Sequence, residues 1–163
     1  MQFSPAQCKQ VDEAVEEAEH RTTRYYCIPP FRWQQLPYDL LTRRDHEWKP
    51  LPEPILAQVQ RLQKVNLSSH RPFEFFRIQL NDPSILSAAH REMPGKDIYH
   101  FLVYILTHEM VHMVRLSSIL ENEEDTLSAC GSEESRVQKI SRQILSGPEY
   151  NVFHPILERF CVV

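Results

Sequence analysis

Apolar positions recur along this chain at two spacings, and the two divide it into helical and extended stretches. Ser4-Pro5-Ala6-Gln7 places a capping hydroxyl, a proline at the first helical position and a glutamine three residues after the serine. Cys8, Val11, Val15 and Ala18 then follow at three- and four-residue intervals, so a first helix is predicted to about Arg21. Its other side, with Asp12, Glu13, Glu16, Glu17 and Glu19, is a solvated acidic face. From Tyr25 to Pro54 the pattern changes. Pro29, Pro30, Pro37, Pro50, Pro52 and Pro54 deny long regular elements, while Tyr25, Tyr26, Phe31, Trp33, Tyr38 and Trp48 are too many aromatics for a flexible linker. The stretch reads as an ordered wrap over the core, with a peptide-binding platform as the rival reading and Arg24 to Ile28 as a short strand.

Pro54 followed by Ile55, Leu56, Val59 and Leu62 predicts a second amphipathic helix ending near Lys64. After the polar turn Asn66 to His70, Phe76, Ile78 and Leu80 alternate with Arg77 and Gln79, the period of a strand over Phe73 to Leu80. A strand needs partners, expected from Tyr25 to Ile28, from Val152-Phe153 or from Phe160 to Val163. Asn81-Asp82-Pro83 opens a short helix through Ala89, and Asp97 is the expected N-cap of a central helix reaching Leu120. Glu121 to Asp125 is an exposed acidic loop in this reading. Gly131-Ser132 starts a further helix with Val137, Ile140, Ile144 and Leu145 as its apolar stripe and Ser146-Gly147-Pro148 as its stop. The predicted class is α+β and helix-dominated, with a small antiparallel or mixed sheet packed on the central helix. One domain is expected over residues 1–163, with helices and wrap in 1–64 and the strand and both later helices in 72–148.

With 163 residues, 42% of them hydrophobic, and only three glycines, the chain has room for one real core. Its 18 Lys+Arg against 22 Asp+Glu leave a net charge of −4 and no basic cluster interleaved with aromatics, which argues against nucleic acid and anionic membrane as partners. The longest apolar run, Phe101 to Leu106, falls far short of the ~20 residues of a bilayer helix. No basic region followed by an apolar core opens the chain, so a cytoplasmic location is expected. Cys8, Cys27, Cys130 and Cys161 form no C-x-x-C pair and are expected as free thiols.

Chemistry concentrates in the central helix, at His108-Glu109-Met110-Val111-His112. Residues four apart on a helix differ by only ~40° in azimuth and ~6 Å in rise, so both imidazoles can grip one ion. Glu109, on the same face, is placed to take a proton from a water that the metal activates. The surroundings strengthen the reading. Ile98, Phe101, Leu102, Ile105, Leu106, Met110, Val111, Met113 and Val114 make this helix apolar around nearly its whole circumference, as in a buried helix. Two histidines and a carboxylate there would each cost a few kcal/mol if unpaired, and a metal satisfies all three together.

Two histidines leave a zinc one protein ligand short. At this point the sequence resembles the zincin-like metallopeptidases of the gluzincin type, in the helix Leu106-Thr107-His108-Glu109-Met110-Val111-His112 followed by a glutamate on the next helix. The likeness covers about 45 residues, Ile105 to Pro148, and the chain would be a small single-domain member. The metzincin class is set aside, because Arg115 and Ser118 stand where its glycine and third histidine belong. The resemblance implies Zn2+ as cofactor, His108 and His112 as ligands, Glu109 as general base, and Glu134 or Glu133 as third ligand. Glu134 is favoured because Gln138, one turn later, can hydrogen-bond it. His154 is a rival ligand and, with Tyr150, a candidate to stabilise an oxyanion; His100 and Tyr104 orient the site or pack. The function implied is a zinc-dependent hydrolase, a metallopeptidase acting on a peptide or protein. The alternative is a non-catalytic, zinc-stabilised protein-binding module, which would close the metal with a fourth protein ligand.

Overall fold

A computed structural model describes residues 1–120, 132–148 and 150–161. The first helix, α1 (Pro5–Tyr25), opens with the reciprocal cap its sequence announces. Ser4 Oγ accepts from the Gln7 N–H at 3.2 Å, and Gln7 Oε1 accepts from the Ser4 N–H at 2.9 Å. Val11, Ala14, Ala18 and Thr22 form its buried face. The helix runs past Arg21 to Tyr25, and Cys27 then turns the chain with φ +53°, so the strand expected over Arg24 to Ile28 does not form.

The wrap is ordered. It contains a single helical turn, α2 (Pro30–Trp33), and a short strand, β1 (Tyr38–Leu41). Its aromatics are held inward: Trp33 Nε1 and the Tyr38 hydroxyl both donate to Glu19, and Trp48 Nε1 donates to the Leu80 carbonyl at 2.7 Å. Asp82 fastens wrap and N-terminus together, its two oxygens accepting from the backbone N–H groups of Arg43 and Phe3, each at 3.2 Å. Phe31, 64% exposed, is the aromatic of the wrap left most open to solvent.

The sheet has three strands in the order β1-β3-β2, with β2 (Ala57–Val65) and β3 (Pro72–Leu80). β3 lies at its centre, as the alternation predicts, with Phe76, Ile78 and Leu80 fully buried. It pairs parallel with β1 (Tyr38 opposite Phe76) and antiparallel with β2 (Ala57 opposite Leu80, Val65 opposite Pro72). The helix expected from Pro54 to Lys64 is therefore a strand. Its apolar spacing suits a helix, but nine paired positions along β3, joined through a tight turn with His70 at φ +53°, outweigh that local preference. The partners proposed near Val152 and Phe160 are also corrected, since both residues lie in a helix.

α3 (Asp82–Glu92) leads to α4 (Tyr99–Leu116), the central helix. Ile98 occupies its cap position, while Asp97 accepts from the Tyr99 N–H at 3.0 Å, so the expected aspartate serves the helix end from one residue further out. Phe101, Leu102, Val103, Leu106, Met110, Val111, Met113 and Val114 are all inaccessible to solvent. Each such burial is worth about 1.5–3 kcal/mol, which is why α4 holds still enough to position chemistry. It packs against α1, the edge strand β2, α5 (Glu133–Leu145) and α6 (Tyr150–Phe160). α6 was not expected, its residues being offered as strand partners; Pro155 sits inside it, yet the signal was present in Phe153, Ile156, Leu157 and Phe160 at helical spacing. The architecture is α+β, dominated by helices, with a small mixed sheet. Among the described residues no helix is long and apolar enough to cross a membrane. Cys8, Cys27 and Cys161 are free thiols; Cys130 and the acidic run Glu121 to Asp125 lie outside the described residues.

Candidate metal centre

α4 presents His108 and His112 one above the other, with ring centroids 4.9 Å apart. α5 is capped by Ser132, whose hydroxyl accepts from the Ser135 N–H at 3.2 Å, and this cap sets Glu133 and Glu134 in the first turn. Glu134 then reaches both rings. Its Oε1 lies 3.1 Å from His108 Nε2 and its Oε2 3.0 Å from His112 Nε2. Donor atoms of His108, His112 and Glu134 all fall within 4.8 Å of one another.

Two imidazole nitrogens and one carboxylate are a donor set zinc accepts, and three donors about 2.1 Å from one ion stand about 3.4 Å apart. The two contacts of Glu134, 3.1 and 3.0 Å, are near that spacing, and the three donors as a set lie within 4.8 Å. Burial, and then the nearby His108, lower the pKa of His112, which keeps its imidazole neutral, the form that binds metal. Hydrogen bonding to His108, with both rings adding electrostatic support, brings Glu134 down to about 2. His108 Nδ1 is buried without a hydrogen-bond partner among the described residues, so its nitrogen facing Glu134 is the one engaged. Gln138 Nε2 donates to Glu134 Oε1 at 3.3 Å, the supporting contact expected of it.

Glu133 is not part of the cluster. Both its oxygens are taken by Arg115 of α4, at 2.6 and 3.2 Å, because the first helical position points it back along α4 while the next points Glu134 at the rings. His154, the other rival, is exposed on α6 and lies outside the donor group. Of Tyr150 only the backbone is described. His100 packs between Tyr99 and Phe153, at 5.0 and 5.4 Å. Tyr104 lines the cavity beside the metal donors and ties α4 to α6 through its hydroxyl, which donates to the Phe160 carbonyl at 3.2 Å.

Glu109 is only 7% exposed, yet it lines a cavity of about 800 Å³ together with His108, His112 and Glu134. Burial lifts its pKa to about 7; His108 and the Val59 backbone of β2 oppose that shift, and Glu134 adds to it. Ile55 to Val59, ending in the edge strand, form one wall of the same cavity, and Ser84, Ala88 and Arg91 of α3 form another. The first wall was not readable in sequence, since it ends in the strand whose apolar spacing suits a helix. Arg115 could have been suspected, as a cation one turn after His112 with an acidic pair ahead on the next helix. Compared with known proteins, the chain matches no family model, no curated protein and no solved structure.

Proposed function

We propose that this protein is a zinc-dependent hydrolase of the zincin-like, gluzincin type, and that its substrates are peptides or proteins. The observation that carries the reading is the convergence of His108, His112 and Glu134 at one edge of a cavity that also holds a buried glutamate, Glu109. Zinc, when bound, would supply Lewis acidity, polarising a carbonyl and making a water acid enough to lose its proton near neutral pH. The chain's own part is proton handling and orientation. Glu109, with a pKa near 7, takes the proton of the attacking water and returns it to the leaving amine, a transfer that works best when donor and acceptor forms are both populated. Glu134 and Gln138 hold the two imidazoles in register, and Tyr104 keeps α6 against the cavity.

The alternative, a zinc staple in a binding module, expects a fourth protein ligand. Among the described residues the donor group has three members and opens on the cavity, which favours the enzyme. The test is hydrolysis of a mixed peptide pool by zinc-loaded protein, set beside its Glu109→Gln variant. Cleavage by the parent should fall about 10²- to 10⁴-fold in the variant while bound zinc is unchanged. Equal rates in the two proteins would remove Glu109 from the mechanism, and absence of cleavage with zinc bound would favour the staple.

A further inference from the structure

The cavity beside the metal donors has a cationic end that hydrolysis alone does not require. Arg91, near the end of α3, and Arg159, near the end of α6, both line it. They converge on one carboxylate: Arg91 Nε and Arg159 Nε each lie 2.7 Å from Glu92, and a second Arg159 nitrogen donates to it at 3.1 Å. Glu92 is not among the cavity's lining residues, and its side chain is 14% exposed where those of Arg91 and Arg159 are 69% and 64%. Hydrogen bonds from Arg91 and then Arg159 hold its pKa below the ordinary carboxylate range, so it stays ionised and cancels one of the two positive charges. The other faces the cavity.

A guanidinium carries five N–H donors in a fixed fork. Among the described residues Arg91 and Arg159 spend their hydrogen bonds on Glu92 alone, with Arg91 using only Nε, which leaves most of the donors open to a ligand. Cations are favoured in the last turn of a helix, which accounts for each arginine separately. It does not account for two helices bringing theirs to the lining of the same cavity. This end adjoins Phe160, whose carbonyl accepts from Tyr104, and Tyr104 precedes His108 by one helical turn.

Resting on the hydrolase reading, we propose that Arg91 and Arg159 bind a carboxylate of the substrate in the cavity they share with the metal donors, making the preferred substrate a peptide with an anionic group. The carboxylate has two sources, an acidic side chain or the free end of the peptide. Glu92 holds the two forks side by side, presenting both to one anion.

The test measures binding of labelled octapeptide pools to zinc-loaded Glu109→Gln protein by fluorescence anisotropy. One pool carries glutamate at its central positions and an amidated end; the second carries glutamine there with the same end; the third carries glutamine with a free carboxylate. The first or third pool should bind about tenfold tighter than the second, the gain of a charge-assisted pair, and which of them does so identifies the source. That advantage should vanish in a protein carrying Arg91→Gln and Arg159→Gln as well, with zinc content unchanged. Equal binding of all three pools overturns the carboxylate site and leaves the hydrolase reading standing. Binding of none of them overturns both.

Discussion

Glu134 shows how one side chain's surroundings translate into behaviour of the whole. Its carboxylate is held at about 2, below the ordinary 4.5, by the two imidazoles it faces. A carboxyl whose folded pKa is depressed stabilises the fold fully above its unfolded pKa, and that contribution disappears as pH falls through the folded value. The zinc-free protein should therefore lose this part of its stability between about pH 4.5 and 2. Glu134→Gln should flatten that limb in urea titrations followed by circular dichroism. Because the side chain is 53% exposed, the loss at neutral pH should stay under about 1 kcal/mol. A variant with the parent's acid limb would detach Glu134 from the histidines. At this scale the sequence was most legible. His108, Glu109 and His112 are spaced by helix geometry alone, whereas the choice of Glu134 over Glu133 depends on Arg115, whose direction no spacing rule reveals.

Between elements, the contact that sets the site is the junction of α4 with the start of α5. Arg115 grips both oxygens of Glu133, and the neighbouring residue is the proposed third ligand. Arg115→Ala should leave the helices formed and weaken zinc binding by roughly 10-fold, as loss of a supporting contact around a ligand does; isothermal titration of both proteins would read it. Unchanged affinity would show that the Ser132 cap alone places Glu134. Elements were legible where one signal dominated, as in α1 with its cap and β3 with its alternation. They were obscured where local and long-range preferences diverged. Val59 and Leu62 fit a helical stripe but are claimed by β3, and Pro155 conceals a helix that Phe153 and Leu157 anchor in the core.

The molecule as a whole is arranged so that α4 is both core and platform. Residues from α1, the sheet and the three other later helices belong to one buried cluster with it. Leu106, fully buried two residues before His108, tests that arrangement: Leu106→Ala should cost about 2–5 kcal/mol in urea denaturation, and a cost under 1 kcal/mol would mean that α4 is not packed as described. The α+β class and the dominance of helices could be read from periodicity, but strand order could not. β1, four paired residues long, hides in a proline-rich stretch, and nothing in its composition says that it lies parallel to β3. The measurement that bears most directly on the central claim is zinc content after dialysis against micromolar zinc, for the parent and for His108→Ala and His112→Ala. The account predicts about one tightly held zinc per parent chain, near-complete loss in both variants and unchanged helical circular dichroism. A parent that retains no zinc, or variants that retain as much as the parent, would contradict it.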